Sequence, residues 1–170
     1  MKKLVLVLLL GALGYLLGGC LGSTGEVLPE EGKPDLVVTA FHQRGPAVVN
    51  HENRAVVPVH VVVRNQGNAD AKVFKVSTRY KDARNTHVVA FTVPRQGHPW
   101  YPYTWDALEA GAELVLEGVV TFDSALHDTT VFLFAIADSC DGEEFMPVYC
   151  RVEESDETNN QSTLVAVNVP

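Results

Sequence analysis

Positive charge is scarce in this 170-residue chain: thirteen Lys and Arg stand against twenty-one Asp and Glu, a formal net charge of −8. With no basic tract, binding to nucleic acid or to an anionic membrane surface through charge is excluded. Cysteine is also scarce, three residues in all, too few for a small scaffold held together by disulfides. The six histidines, at positions 42, 51, 60, 87, 98 and 127, include no pair two to four residues apart, so no local zinc motif exists. A nucleophile elbow, a phosphate loop and a dinucleotide fingerprint are absent as well, which leaves catalysis little support. Helical periodicity is missing beyond the first twenty residues. What is present is a hydrophobic share of 46% with a mean hydropathy of +0.06, enough for one domain with a real core and incompatible with an acidic disordered chain.

The first twenty residues read MKKLVLVLLLGALGYLLGGC. Two lysines precede an apolar run from Leu4 to Leu17, rather short for a permanent span of about 20 residues, and the pattern is that of a secretory signal. The junction Leu17-Gly18-Gly19-Cys20 resembles the bacterial lipobox. That resemblance implies a signal peptide of residues 1–19, cleavage before Cys20, and acylation at Cys20. Two or more acyl chains make a stable anchor. The Gly-, Pro- and Glu-rich residues 20–34 then read as a flexible tether. Residues 35–170 form the domain, placed outside the cytoplasm in a bacterial envelope. Leu21 after the cysteine favours the outer membrane or the cell surface over the inner membrane.

From Asp35 onward the chain reads as strands. Asp35–Gln43 is β-branched and aromatic. In Ala55–Arg64, Val57, Val59, Val61 and Val63 alternate with Val56, Pro58, His60, Val62 and Arg64, the period of a half-buried strand. Pro58 lacks an amide donor, which predicts a sheet edge or a bulge there. Asn65-Gln66-Gly67-Asn68 supplies turn chemistry. Further strands are expected at Ala71–Tyr80, where Phe74, Val76, Thr78 and Tyr80 oppose Val73, Lys75, Ser77 and Arg79, and at Thr86–Val93 and Glu113–Phe122. Thr129–Ala137 is apolar on both faces, as in a central strand, and Ser162–Val169 completes the set. Seven strands at short spacing predict an all-β, antiparallel, seven-stranded β-sandwich. Pattern alone does not separate it from a closed barrel.

Four segments occur in order: Pro34-Asp35-Leu36-Val37-Val38, the run Val61–Ala71 (VVVRNQGNADA), Leu108-Glu109-Ala110-Gly111, and Glu154-Ser155-Asp156-Glu157-Thr158-Asn159-Asn160. Together they resemble the CARDB family, the "cell adhesion related domain found in bacteria", over about Pro34 to Val169. The resemblance implies an immunoglobulin-like sandwich and an adhesion-related module, and it brings no catalytic residues. The chain departs from the family in one place, where SCDGEEFMPVYCRVE stands between Asp138 and Glu154.

That insertion holds Cys140 and Cys150. In an exported protein with Cys20 acylated they are the remaining pair, and a structural disulfide is expected. Their nine-residue gap is not a redox or zinc spacing. Eight acidic residues crowd into positions 138–157, with Arg151 as the only base. The first reading is turn capping by Asp and Asn, with the glutamates solvated. The alternative is Ca²⁺, held by Asp138, Asp156 and Asn159 if neighbouring strand ends bring them together. No other cofactor is implied.

The loop Gln96–Trp105 carries Trp100, Tyr101, Tyr103 and Trp105. Such aromatics suit a ligand-binding platform, glycans included, and suit equally a cover over the open end of the sandwich. Three functional classes follow. The first is a membrane-anchored, non-catalytic binding or adhesion module facing a protein or glycan partner. The second is a structural or assembly lipoprotein scaffolding an envelope complex. The third, the least supported, is a metal-dependent enzyme or metal carrier.

Overall fold

Alternating valines create the longest of the described strands, Ala55–Asn65. The computed structural model describes residues 31–94, 107–139 and 152–170. These carry eight strands, β1 (Leu36–Gln43), β2 (Val48–Val49), β3 (Ala55–Asn65), β4 (Val76–Lys81), β5 (Thr86–Thr92), β6 (Glu113–Phe122), β7 (Thr129–Ala137) and β8 (Val165–Val169), with one 3-10 turn at Ser124–Leu126. In β3, Ala55, Val57, Val59, Val61 and Val63 are buried, whereas Val56, Pro58, His60 and Val62 are half-buried. Each valine removed from water stabilises the fold by about 1.5–3 kcal/mol relative to an exposed one.

All pairings are antiparallel, and the ladder runs β1-β3-β6-β5-β4-β7-β8, with β2 added to β3. Strand β5 makes this one ladder fold over into two layers. Its first half, to Val89, pairs with β4, and from Ala90 it pairs with β6. Gly118 of β6 lies where β5 crosses over: a Cβ there would stand 2.4 Å from the Thr92 carbonyl oxygen, so any larger residue would push the strands apart. The path ends at β1 and β8, which together with β7 pack across the core. The result is an immunoglobulin-like sandwich. Its interior takes Val57, Val61 and Val63 from β3, Leu116, Val120 and Phe122 from β6, Leu133 and Ala135 from β7 and Val167 from β8.

Several details differ from the sequence expectations, among them an added short strand, β2, and a β8 that starts at Val165 rather than Ser162. Strand β3 is interior, flanked by β1 and β6, so Pro58 is not at a sheet edge. Its carbonyl accepts the Arg44 amide at 2.9 Å, and its nitrogen, on the same side of the strand, faces the gap between the end of β1 and the start of β2. The missing donor falls where the neighbouring strand is interrupted. Strand β4 starts at Val76 rather than Ala71, since Ala71 makes an isolated bridge with Leu108. The alternation expected here does not divide buried from exposed residues, since Lys75 and Ser77 are fully buried along with Phe74 and Val76.

A β-bulge interrupts β1. Register passes from Val38↔Val63 to Ala40↔Val62, leaving Thr39 unpaired. One extra residue reverses which side chains face inward. Leu36 is buried before the bulge and Phe41 after it, and His42 is turned outward.

Candidate functional site

The four segments that carry the family resemblance meet at one end of the sandwich. Asn65, the last residue of β3, is fully buried and joins three of them. Its Oδ1 accepts the amides of Asp35 and Gly67, both at 3.1 Å. Its Nδ2 donates to the carbonyls of Ala69 at 2.8 Å and Leu108 at 2.9 Å. Those four bonds use the whole capacity of the side-chain amide. The Asn65 backbone donates to the Ala112 carbonyl and accepts the Gly111 amide, fixing the entry into β6. Gly67 is required because a Cβ would lie 2.4 Å from the Lys33 carbonyl oxygen and 2.6 Å from the Asp35 nitrogen.

The fourth segment completes the arrangement. Glu154, 5% exposed, accepts the Leu36 amide on Oε2 and the Asn160 Nδ2 on Oε1 at 2.6 Å. Ser155 donates its amide to the Pro34 carbonyl at 2.9 Å. Asp35 accepts Gln66 Nε2 at 3.0 Å and Asn159 Nδ2 at 2.8 Å on its two carboxylate oxygens. The compact unit spans Glu31–Pro170, and Lys33 and Pro34, placed in the tether by sequence, are hydrogen bonded into it.

Burial pushes the Glu154 carboxyl up to about 7. The bonds from Leu36 and Asn160 oppose the shift, while the nearby carboxylates of Asp138 and Glu157 reinforce it. The expectation that the glutamates here are solvated is corrected for Glu154: the residue sits beneath the start of β1 because its carboxylate caps an amide that the sheet leaves unpaired. Glu153 and Glu157 are exposed.

Of the residues considered for Ca²⁺, Asp138 and Asp156 accept hydrogen bonds, while Asn159 is bonded through Nδ2 and its buried Oδ1 has no hydrogen-bond partner among the described residues. Asp138, in the left-handed region at φ 47, accepts the Val152 amide on Oδ2 at 2.6 Å, joining the two ends of the insertion. Asp156 takes the Thr158 amide at 2.9 Å and its hydroxyl at 2.6 Å on one oxygen, bonds that lower its pKa. Asn159 donates to Asp35. Among the described residues no group of three or more His, Cys, Asp or Glu side chains is placed to hold a metal ion. Cys20, Cys140, Cys150, Trp100, Tyr101, Tyr103 and Trp105 lie outside the described residues, so the acylation, disulfide and aromatic-platform expectations stand as sequence readings.

Two features escaped sequence reasoning. Glu154 looks like one acid among eight until the strand pairing shows that it meets the first residue of β1. His42 and His60, eighteen positions apart in sequence, become direct cross-strand neighbours.

Fold and site together describe an all-β, immunoglobulin-like module whose buried polar contacts gather at one end of the sandwich. Among solved structures the chain is similar to the CARDB domain of the PF1109 protein from Pyrococcus furiosus, which was crystallised in complex with di-metal ions, with 23% identity over 81% of this chain and 94% of that chain and a TM-score of 0.45. No family model matches the sequence, and no curated protein matches it.

Proposed function

We propose that this protein is a lipid-anchored, non-catalytic binding module of the bacterial envelope, tethered through acylated Cys20 and presenting its sandwich to a protein or glycan partner outside the cytoplasm. The observation that carries this reading is the use made of Asn65, Asp35, Glu154 and Asn160. The carboxylates of Asp35 and Glu154, the whole amide of Asn65 and the Nδ2 of Asn160 are bonded within the domain, with only the Asn160 Oδ1 of this set left without a partner among the described residues. This supports a scaffold role for these motifs and leaves recognition to other surfaces. The aromatic loop, with Trp100 and Trp105, is the proposed contact surface, and Cys140 and Cys150 are proposed to form a disulfide in the insertion.

A scaffolding role in an envelope complex is the second reading. It is supported by the open ends of the ladder, since β1 and β8 each pair on one side only among the described strands, and such edges accept a strand from a partner.

Two measurements test the proposal. Intact-mass analysis of the protein extracted from membranes is expected to show a chain beginning at Cys20 and carrying acyl chains, and Cys20→Ser is expected to release it from the membrane fraction. Capture from solubilised envelopes is expected to recover a partner that Trp100→Ala loses. A mature chain without lipid, or the same partner recovered with Trp100→Ala, overturns the corresponding half.

A further inference from the structure

The outer face of the β1-β3-β6 sheet carries a row of ligating side chains that the proposed function does not use. Register places His42 of β1 opposite His60 of β3, and His60 opposite Glu117 of β6. The bulge at Thr39 makes this possible, because without the extra residue His42 would share the inward face of Leu36. The His42 and His60 ring centroids are 4.8 Å apart at an interplanar angle of 35°.

Glu117 organises the row from the other side. Its Oε2 pairs with Arg44 at 2.7 Å, and its Oε1 lies 3.5 Å from His60 Nδ1. A carboxylate facing Nδ1 favours the tautomer that carries its proton there, which leaves the Nε2 lone pair available to an electrophile. In carboxylate–histidine–metal relays the carboxylate accepts the ring N–H and orients the imidazole; here the two groups stand at ion-pair distance, from which a bound ion would draw them into that bond. His42, exposed on the edge strand, brings a second imidazole to the same place.

The ring spacing fits bidentate ligation. With metal–nitrogen bonds of about 2.0–2.1 Å, each ring centroid lies roughly 3.2 Å from the ion, so ligand angles of about 90–109° require centroids roughly 4.5–5.2 Å apart. The observed 4.8 Å falls inside that interval. We propose that His42 and His60, with Glu117 as the orienting carboxylate, form a two-imidazole site for a divalent transition-metal ion such as Zn²⁺, Ni²⁺ or Cu²⁺, water completing the coordination. Imidazole donors select these ions over Ca²⁺ and Mg²⁺.

The test uses the full chain in mild detergent, with Ni²⁺ or Zn²⁺ alone as the probe. In NMR spectra, substoichiometric Ni²⁺ is expected to broaden the His42 and His60 ring signals together, before those of His51, His87 and His127. Calorimetry with Zn²⁺ is expected to show at least a tenfold loss of affinity in His42→Ala, whose exposed position keeps the fold intact, and a smaller loss in Glu117→Gln. Broadening of other histidines first, or a Zn²⁺ affinity unchanged in His42→Ala, overturns the proposal. The NMR readout needs no variant, so it decides even if a substitution disturbs folding.

Discussion

The carboxylate of Glu154 accepts the backbone amide of Leu36, a residue 118 positions earlier in the chain. This contact ties the start of β1 to the segment that leads into β8, and it does so with a carboxyl held near pH 7 by burial.

A pH dependence of stability follows. The folded carboxyl titrates near 7 and the ordinary value is 4.5, so between those limits the folded protein keeps a proton that the unfolded chain releases. Stability from this group is therefore fully present below pH 4.5 and declines as pH rises to about 7, by at most about 3 kcal/mol. Urea denaturation of wild type and Glu154→Gln across pH 4.5–8 checks this. The difference between the two is expected to change over that window, with Gln gaining relative to Glu as pH rises.

Asn65 carries a larger share of the architecture. Asn65→Ala strands two amides and two carbonyls at a buried position, and the expected cost is about 2–4 kcal/mol in chemical denaturation. Asn65→Asp keeps the acceptor but loses both donors and brings a charge into the interior, so it is expected to be no milder.

Two glycines separate close approach from backbone conformation. Gly67→Ala drives a methyl group into the backbone between Lys33 and Asp35 and is expected to cost more than 2 kcal/mol, because strand β1 must move. Gly111 has φ +80 and open space around its Cβ position, so Gly111→Ala bears only the left-handed strain, about 1 kcal/mol. Thermal melts of the two variants are expected to rank in that order.

Asp138 and Val152 bring the ends of the insertion together. A disulfide between Cys140 and Cys150 inside it is expected to resist alkylation in the exported protein without reductant. Its reduction is expected to lower stability by about 2.5–3 kcal/mol. Mass spectrometry showing both thiols modified without reductant contradicts the pairing.

Sequence reasoning reached the strands because period-two burial is a local signal: β6 and β7 span the residues expected, and β3 extends one residue further, to Asn65. It reached the motifs but not their roles. Asn65 and Gly67 read as an ordinary turn, and only the approach of Lys33, Asp35 and Leu108 shows why these two residue types are needed. The bulge at Thr39 has no mark in the sequence DLVVTAFHQ, yet it decides where His42 points. Pro58 suggested a sheet edge or a bulge, whereas it lies in an interior strand opposite the β1–β2 break, a position that depends on strands far away in sequence. The burial of Glu154 depends on a contact across most of the chain, beyond any local pattern.

We propose that the buried polar contacts of Asn65 and Glu154 hold the domain together and that recognition falls to the aromatic loop. The most direct test of this division is capture from solubilised envelopes by wild type, Glu154→Gln and Trp100→Ala side by side, each at a temperature where circular dichroism shows it folded. Glu154→Gln is predicted to retain the wild-type partner, and Trp100→Ala to lose it with an unchanged Tm. Loss of the partner by folded Glu154→Gln together with its retention by Trp100→Ala would contradict the account.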